Sequence, residues 1–238
     1  MPQTRTEVIA APGQGEFAGY TVVPDAGSGP GLLVIQEIFG ISPYLKDVCD
    51  RVAALGYVAM APDLYWRIAP GISIDEHDPD ALRKGLGYGG RLDFKGAVGD
   101  SIAALGHLRA MPEVAAAGGK AGVMGFCLGG GISYQVAAAA DPDCAISYYG
   151  SAVPDALGVA GEIRCPILFH FGRDDPYLNL ERQAAVREAF DGNPLAEFHD
   201  HKAGHAFDNH RSAIFSVPEA AAEAWGQTQA FLSEQLPL

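Results

Sequence analysis

A doubly wound, mostly parallel α/β sheet with helices on both faces is the fold class this sequence predicts. Two observations predict it. Five short runs, each of strand length, are apolar at consecutive positions, as strands covered on both faces must be. Between several of them lie segments whose apolar residues recur at helical spacing, and alternation of this kind builds parallel sheets.

The first run, Gly31–Ile35, follows the turn-rich stretch Pro24–Pro30. Leu45, Val48, Val52 and Leu55 then share one helical face, with Pro43 near the start and Gly56 at the stop. Tyr57–Ala61 is the second run, ended by Pro62. A second helical stripe, Phe94, Val98, Ile102, Leu105 and Leu108, ends at Met111 and Pro112. Gly122–Phe126, Ala145–Tyr149 and Ile167–Phe171 complete the strands. The last stripe is Ala221, Ala224, Trp225, Thr228, Phe231 and Leu232, with Thr228 its one polar member. About seven or eight strands are expected, in a single domain over residues 1–238. The irregular segment 64–92, rich in Asp, Gly and Pro, reads as a cap-like insertion over one sheet end.

Composition narrows the function. With 16 basic and 29 acidic residues the net charge is -13, which disfavours nucleic acid and anionic membranes as partners. No apolar run is long enough to span a bilayer. Cys49, Cys127, Cys144 and Cys165 form no C-x-x-C pair and no zinc spacing, so neither metal nor cofactor is expected. Free thiols and the absence of a signal-like apolar core in Met1–Glu7 point to the cytoplasm.

The chemistry is carried by Gly125-Phe126-Cys127-Leu128-Gly129-Gly130-Gly131, where a strand-like run turns into a helix-like one. This is the Gly-x-nucleophile-x-Gly elbow, with Cys at the nucleophile position. Small neighbours let backbones close around a strained turn, and the following helix N-terminus favours a thiolate. The competing reading is a buried structural thiol beside a Gly-rich turn, and the run of three glycines after Cys127 favours the elbow. A nucleophile needs a base and the base an orienter, in the chain order nucleophile, acid, His. His205, flanked by Gly204 and Ala206, is the candidate base. Asp175 is the first choice for the acid and Asp174 the second, while Asp-Asp-Pro is also plain turn chemistry. His170, inside an apolar run, reads as a satisfied core histidine, and His199 and His201 as a partly exposed pair with no third metal ligand. Glu37, between Ile35 and Ile38-Phe39, is a carboxylate in apolar company and should have a raised pKa.

Four segments together resemble the dienelactone hydrolase (carboxymethylenebutenolidase) family of the α/β-hydrolase superfamily. They are Gln36–Gly40, Ala61–Tyr65, Gly125–Gly130 and Ala203–Phe207. The resemblance implies Cys127 as nucleophile, His205 as base, Asp175 rather than Asp174 as acid, and Glu37 as acceptor of the thiol proton. It places the oxyanion hole at the backbone N–H groups of Ile38 and Leu128. The implied reaction is hydrolysis of a dienelactone-type lactone or small ester through an acyl-thioester, without cofactor. The family grips a substrate carboxylate with two arginines. One maps to Arg83; the other falls on Asn209, a departure that leaves an anionic substrate open, and Arg211 is not aligned with it. Arg83, Asn209 and Trp66 are the candidate substrate contacts. The competing functions are a general thiol esterase, thioesterase or acyltransferase on the same triad, and a catalytically silent binding protein on the same fold.

Overall fold

Successive strand residues face opposite sides of a sheet, so a strand that is apolar throughout must be covered twice. The computed structural model, which describes residues 2–13 and 15–238, has this arrangement. Its strands are β1 (Gln3–Ala10), β2 (Glu16–Val23), β3 (Gly31–Ile35), β4 (Val58–Pro62), β5 (Ala121–Phe126), β6 (Ala145–Tyr148), β7 (Ile167–Gly172) and β8 (Ala196–His201). They form one sheet in the order β1-β2-β4-β3-β5-β6-β7-β8. β1 and β2 pair antiparallel, as do β2 and β4, and every other pairing is parallel.

The helices are α1 (Pro43–Ala54), α2 (Ala81–Gly89), α3 (Phe94–Ala110), α4 (Pro112–Ala115), α5 (Leu128–Ala140), α6 (Leu180–Ala189) and α7 (Pro218–Gln235), with a 3-10 segment at Val153–Glu162. Leu33, Ile35, Val123 and Phe169 pack on one face beneath α3, α5 and α6. Leu32, Val34, Met124 and Leu168 pack on the other beneath α1 and α7. Each fully buried side chain of this size contributes about 1.5–3 kcal/mol. Pro43 opens α1 behind the Ser42 cap, whose Oγ accepts from the Leu45 N–H at 3.3 Å.

Among the elements outside the five apolar runs, three are so for identifiable reasons. β1 is an edge strand with mostly exposed side chains, and Arg5 there pairs with Glu7 and Glu113, which discourages edge-to-edge pairing. β2 alternates exposed and buried positions from Glu16 to Gly19, and only its end, Thr21–Val23, is continuously buried. α2 carries Gly85, Gly87 and Gly89, poor helix formers, inside the irregular segment.

Thr228 is buried in α7 because it bonds the His170 Nε2 at 3.0 Å and the Tyr148 hydroxyl at 2.6 Å. His170 is fully buried and satisfied, its Nδ1 lying 3.0 Å from His201 Nε2. His201 corrects the expectation of partial exposure: it ends β8 against Phe207 and is buried. Among the described residues, no helix is long and apolar enough to cross a membrane, and no group of three or more His, Cys, Asp or Glu side chains is arranged to hold a metal.

Candidate active site

Cys127 stands between β5 and α5 with φ 51° and ψ -111°. A side-chain-bearing residue held there costs about 1–3 kcal/mol and persists only if its surroundings fix it. They do so through the backbone. The Cys127 N–H donates to the Tyr148 carbonyl at 3.0 Å, and its carbonyl accepts from the Gly130 N–H at 3.0 Å. A Cβ on Gly125 would collide with the Gly129 carbonyl, and one on Gly129 with the carbonyls of Ile35 and Gln36. The glycines are therefore required by close backbone approach. Leu128 is the first residue of α5, so its N–H has no acceptor within the helix.

His205 comes from the loop after β8. Its Nδ1 lies 2.7 Å from Asp175 Oδ2, and its ring packs edge-on against Tyr149 and Tyr177. The other Asp175 oxygen accepts the backbone N–H groups of Tyr177 and Leu178 at 2.8 and 3.0 Å, which fixes the carboxylate. Asp175 is buried, whereas Asp174 is exposed and contributes a backbone N–H to the Ala203 carbonyl. Burial opposes a charge on His205, but the negative sulfur of Cys127 and the Asp175 hydrogen bond outweigh it and raise the imidazole to about 11. While the sulfur is ionised, His205 keeps its proton.

Glu37 follows β3 and is buried. Its Oε2 accepts from Asn209 Nδ2 at 2.7 Å; among the described residues its Oε1 has no hydrogen-bond partner. Burial pushes this carboxyl up to about 7, against the Asn209 hydrogen bond and the His205 charge, with nearby Glu76 adding to the rise.

Glu37, Ile38, Cys127, Leu128 and His205 line one cavity of about 270 Å³, completed by Phe39, Phe94 and Phe215 and by Leu82, Leu86, Gly89 and Gly90 of the irregular segment. The candidate substrate contacts lie elsewhere. Arg83 is 72% exposed and pairs with Asp80. Trp66 stacks on Phe17 and donates Nε1–H to Asp100 at 2.9 Å. Asn209 reaches Glu37 but is not part of the cavity wall, and Arg211 pairs with Asp47. Sequence reasoning did not single out Tyr149 and Tyr177, the two rings that flank His205. Tyr149 gave one signal, since it closes the run Ala145–Tyr149; Tyr177 gave none.

The sheet order and the elbow define an α/β-hydrolase-fold protein. The dienelactone hydrolase family model matches residues 17–236, and the chain belongs to that family. It is 34% identical to a carboxymethylenebutenolidase of Pseudomonas sp. (strain P51), over 97% of this chain and 95% of the relative. It is 33% identical to carboxymethylenebutenolidase 1 of Cupriavidus pinatubonensis (strain JMP 134 / LMG 1197), over 84% and 85%. A candidate dienelactone hydrolase from Klebsiella pneumoniae subsp. pneumoniae MGH 78578 superposes with a TM-score of 0.80 at 26% identity, covering 98% of this chain and 99% of that one. The chain is a hydrolase acting on ester (lactone) bonds.

Proposed function

We propose that the enzyme opens a lactone or small carboxylic ester through an acyl-thioester on Cys127. One observation carries the reading. The strained Cys127 shares its cavity with His205, whose far nitrogen is held 2.7 Å from buried Asp175.

Glu37 accepts the thiol proton, and the thiolate attacks the carbonyl carbon. The oxyanion forms against the backbone N–H groups of Ile38 and Leu128. Protonated His205 gives its proton to the leaving oxygen as the carbon–oxygen bond breaks. With the sulfur acylated, the charge that held the imidazole proton is gone, and neutral His205 takes a proton from water as it attacks the thioester. The thiolate leaves, and Glu37 returns its proton. The segment 64–92 serves as a cap, since four of its residues form part of the wall. Four unpaired cysteines fit a reducing cytoplasm.

The test is hydrolysis of a neutral p-nitrophenyl ester and of a dienelactone by wild type, Cys127→Ala and Cys127→Ser, with intact-mass detection of the acyl-enzyme after acid quench. Wild type should carry the acyl group, Cys127→Ala should carry none, and Cys127→Ser should fold and lose most activity. Normal turnover by either variant rules out the thiolate route.

A further inference from the structure

Within that reading of the site, we infer that Tyr149 is the positioning residue for Glu37: its hydroxyl donates to Glu37 Oε1 while the carboxyl is ionised and accepts from it once the thiol proton has arrived. Glu37 Oε1 and the Tyr149 hydroxyl are both buried, and neither has a hydrogen-bond partner among the described residues. The hydroxyl nevertheless lies close enough to act on the carboxyl as a donor, opposing the effect of burial. A buried donor and a buried acceptor left single side by side each carry a desolvation cost, which one bond between them removes. Tyr149 is held for this contact. Its φ is 39°, a strained value for a residue with a side chain, and its N–H donates to the His170 carbonyl at 2.8 Å. Its ring packs edge-on against His205 and Phe207, with its centroid 5.3 and 5.2 Å from theirs.

Asn209 fixes which oxygen carries the proton. Its Oδ1 accepts the Arg211 N–H at 3.2 Å, so its Nδ2–H must be the group facing Glu37 Oε2 at 2.7 Å. An amide N–H donates in every state of the carboxyl, which leaves Oε1 to gain and lose the proton. A hydroxyl both donates and accepts, so Tyr149 serves Oε1 in both states. Its second partner is Tyr44, whose own proton goes to Asp208 Oδ2 at 2.6 Å and whose oxygen therefore accepts. When Glu37 is protonated, the carboxyl O–H donates to Tyr149 and Tyr149 donates to Tyr44. When Glu37 is ionised, Tyr149 turns its O–H to Oε1. Tyr149 keeps its own proton throughout, because burial and the neighbouring carboxyls push the phenol well above its ordinary value. Among the described residues, the other titratable groups around Glu37 are His205, Glu76, Tyr44 and Cys127, which shares its cavity.

Tyr149→Phe keeps the ring and removes the hydroxyl. A hydrogen bond to the ionised carboxyl is roughly twice as strong as one to the neutral form, so the loss falls mainly on the ion. Infrared difference titration of Glu37, with the matching Glu37→Gln protein as the blank, should show the midpoint moving up from about 7 by about half to one pH unit. The acid limb of kcat/KM for a neutral p-nitrophenyl ester should move by the same amount, because ionised Glu37 takes the thiol proton. Tyr44→Phe removes the other acceptor of Tyr149, commits its O–H to Oε1 and should move the midpoint the opposite way. An unmoved or lowered Glu37 midpoint in Tyr149→Phe overturns the inference, and a uniform loss of activity with an unmoved midpoint assigns Tyr149 to packing alone. Should Tyr149→Phe fail to fold, Tyr44→Phe decides: a lowered midpoint sustains the inference, and an unmoved or raised one overturns it. The thiolate reading fails separately, through ester turnover that survives Cys127→Ala whatever the Glu37 midpoint does.

Discussion

Replacing Glu37 with Gln keeps the shape of the side chain and its acceptor for Asn209 but removes the ionisable group. Burial raises the Glu37 carboxyl from 4.5 to about 7. That rise of about 2.5 pH units corresponds to roughly 3 kcal/mol of disfavoured charge. The folded protein thus keeps a proton that the unfolded chain releases, so stability falls as pH rises from 4.5 to about 7. Glu37→Gln does not pay this cost. Below pH 4.5 the variant and wild type should be equally stable; above pH 7 the variant should be more stable by roughly 3 kcal/mol. For a chain of this length that is about 6–12 °C in Tm. Urea or thermal unfolding of both proteins, at about pH 4.5 and about pH 8, measures the double difference, in which all other titrating groups cancel. Hydrolysis should fall sharply in the same variant, because the amide cannot accept the thiol proton. A variant no more stable than wild type near pH 8 would refute the claim that burial of charge dominates at Glu37, and an equal gain at both pH values would assign the effect to packing.

Two further expectations are independent of Glu37. Asp175→Asn should lower kcat by about 10³–10⁴, because an amide at this position no longer holds the His205 tautomer, while KM changes little; an activity within a few-fold of wild type removes Asp175 from the orienting role. Burial pushes His170 and His201 below their ordinary value, with the second imidazole adding to the effect at His170. Both are therefore neutral when folded, their stability contribution is complete above pH 6.5, and it declines as pH falls below that value by up to about 1.4 kcal/mol per pH unit for each ring. Urea midpoints of wild type and His170→Phe between about pH 7 and about pH 5 check this, and equal slopes would refute it.

The parts of the fold legible in the sequence were those with a strong period. Gly31–Ile35 and Gly122–Phe126 are buried on both faces, so they announce themselves as unbroken apolar runs. Thr228 broke the period of its helix and found its explanation only in three dimensions, as the partner of His170 and Tyr148. β1 was not legible because an edge strand buries little: of its residues only Ile9 is buried. α2 was not legible because its glycines argue against a helix, and its packing on Ile38 is a tertiary contact that no local propensity expresses.

The arrangement of the site follows from the parallel sheet itself. Parallel neighbours end at the same edge, so residues that follow them converge whatever their separation in sequence. Glu37 follows β3, Cys127 follows β5, Tyr149 follows β6, Asp175 follows β7 and His205 follows β8. These strands stand side by side in the order β3-β5-β6-β7-β8. A motif at the end of a recognisable strand therefore carries its position with it, and Cys127, Asp175 and Glu37 were of this kind, whereas His205 follows β8, which lies outside the five apolar runs. The cavity wall obeys no such rule. Leu82 and Leu86 come from α2, a helix inside the irregular segment 64–92, whose place is set by packing on Ile38 and Phe39 and not by strand register. Arg83 sits between those two leucines in the chain, yet helical geometry turns it outward to Asp80 while they face the cavity. One step along a helix rotates a side chain by about 100°, which is enough to exchange a cation for a leucine in the wall. The composition of the cavity wall is thus decided by the one part of the site whose register the sequence pattern leaves free.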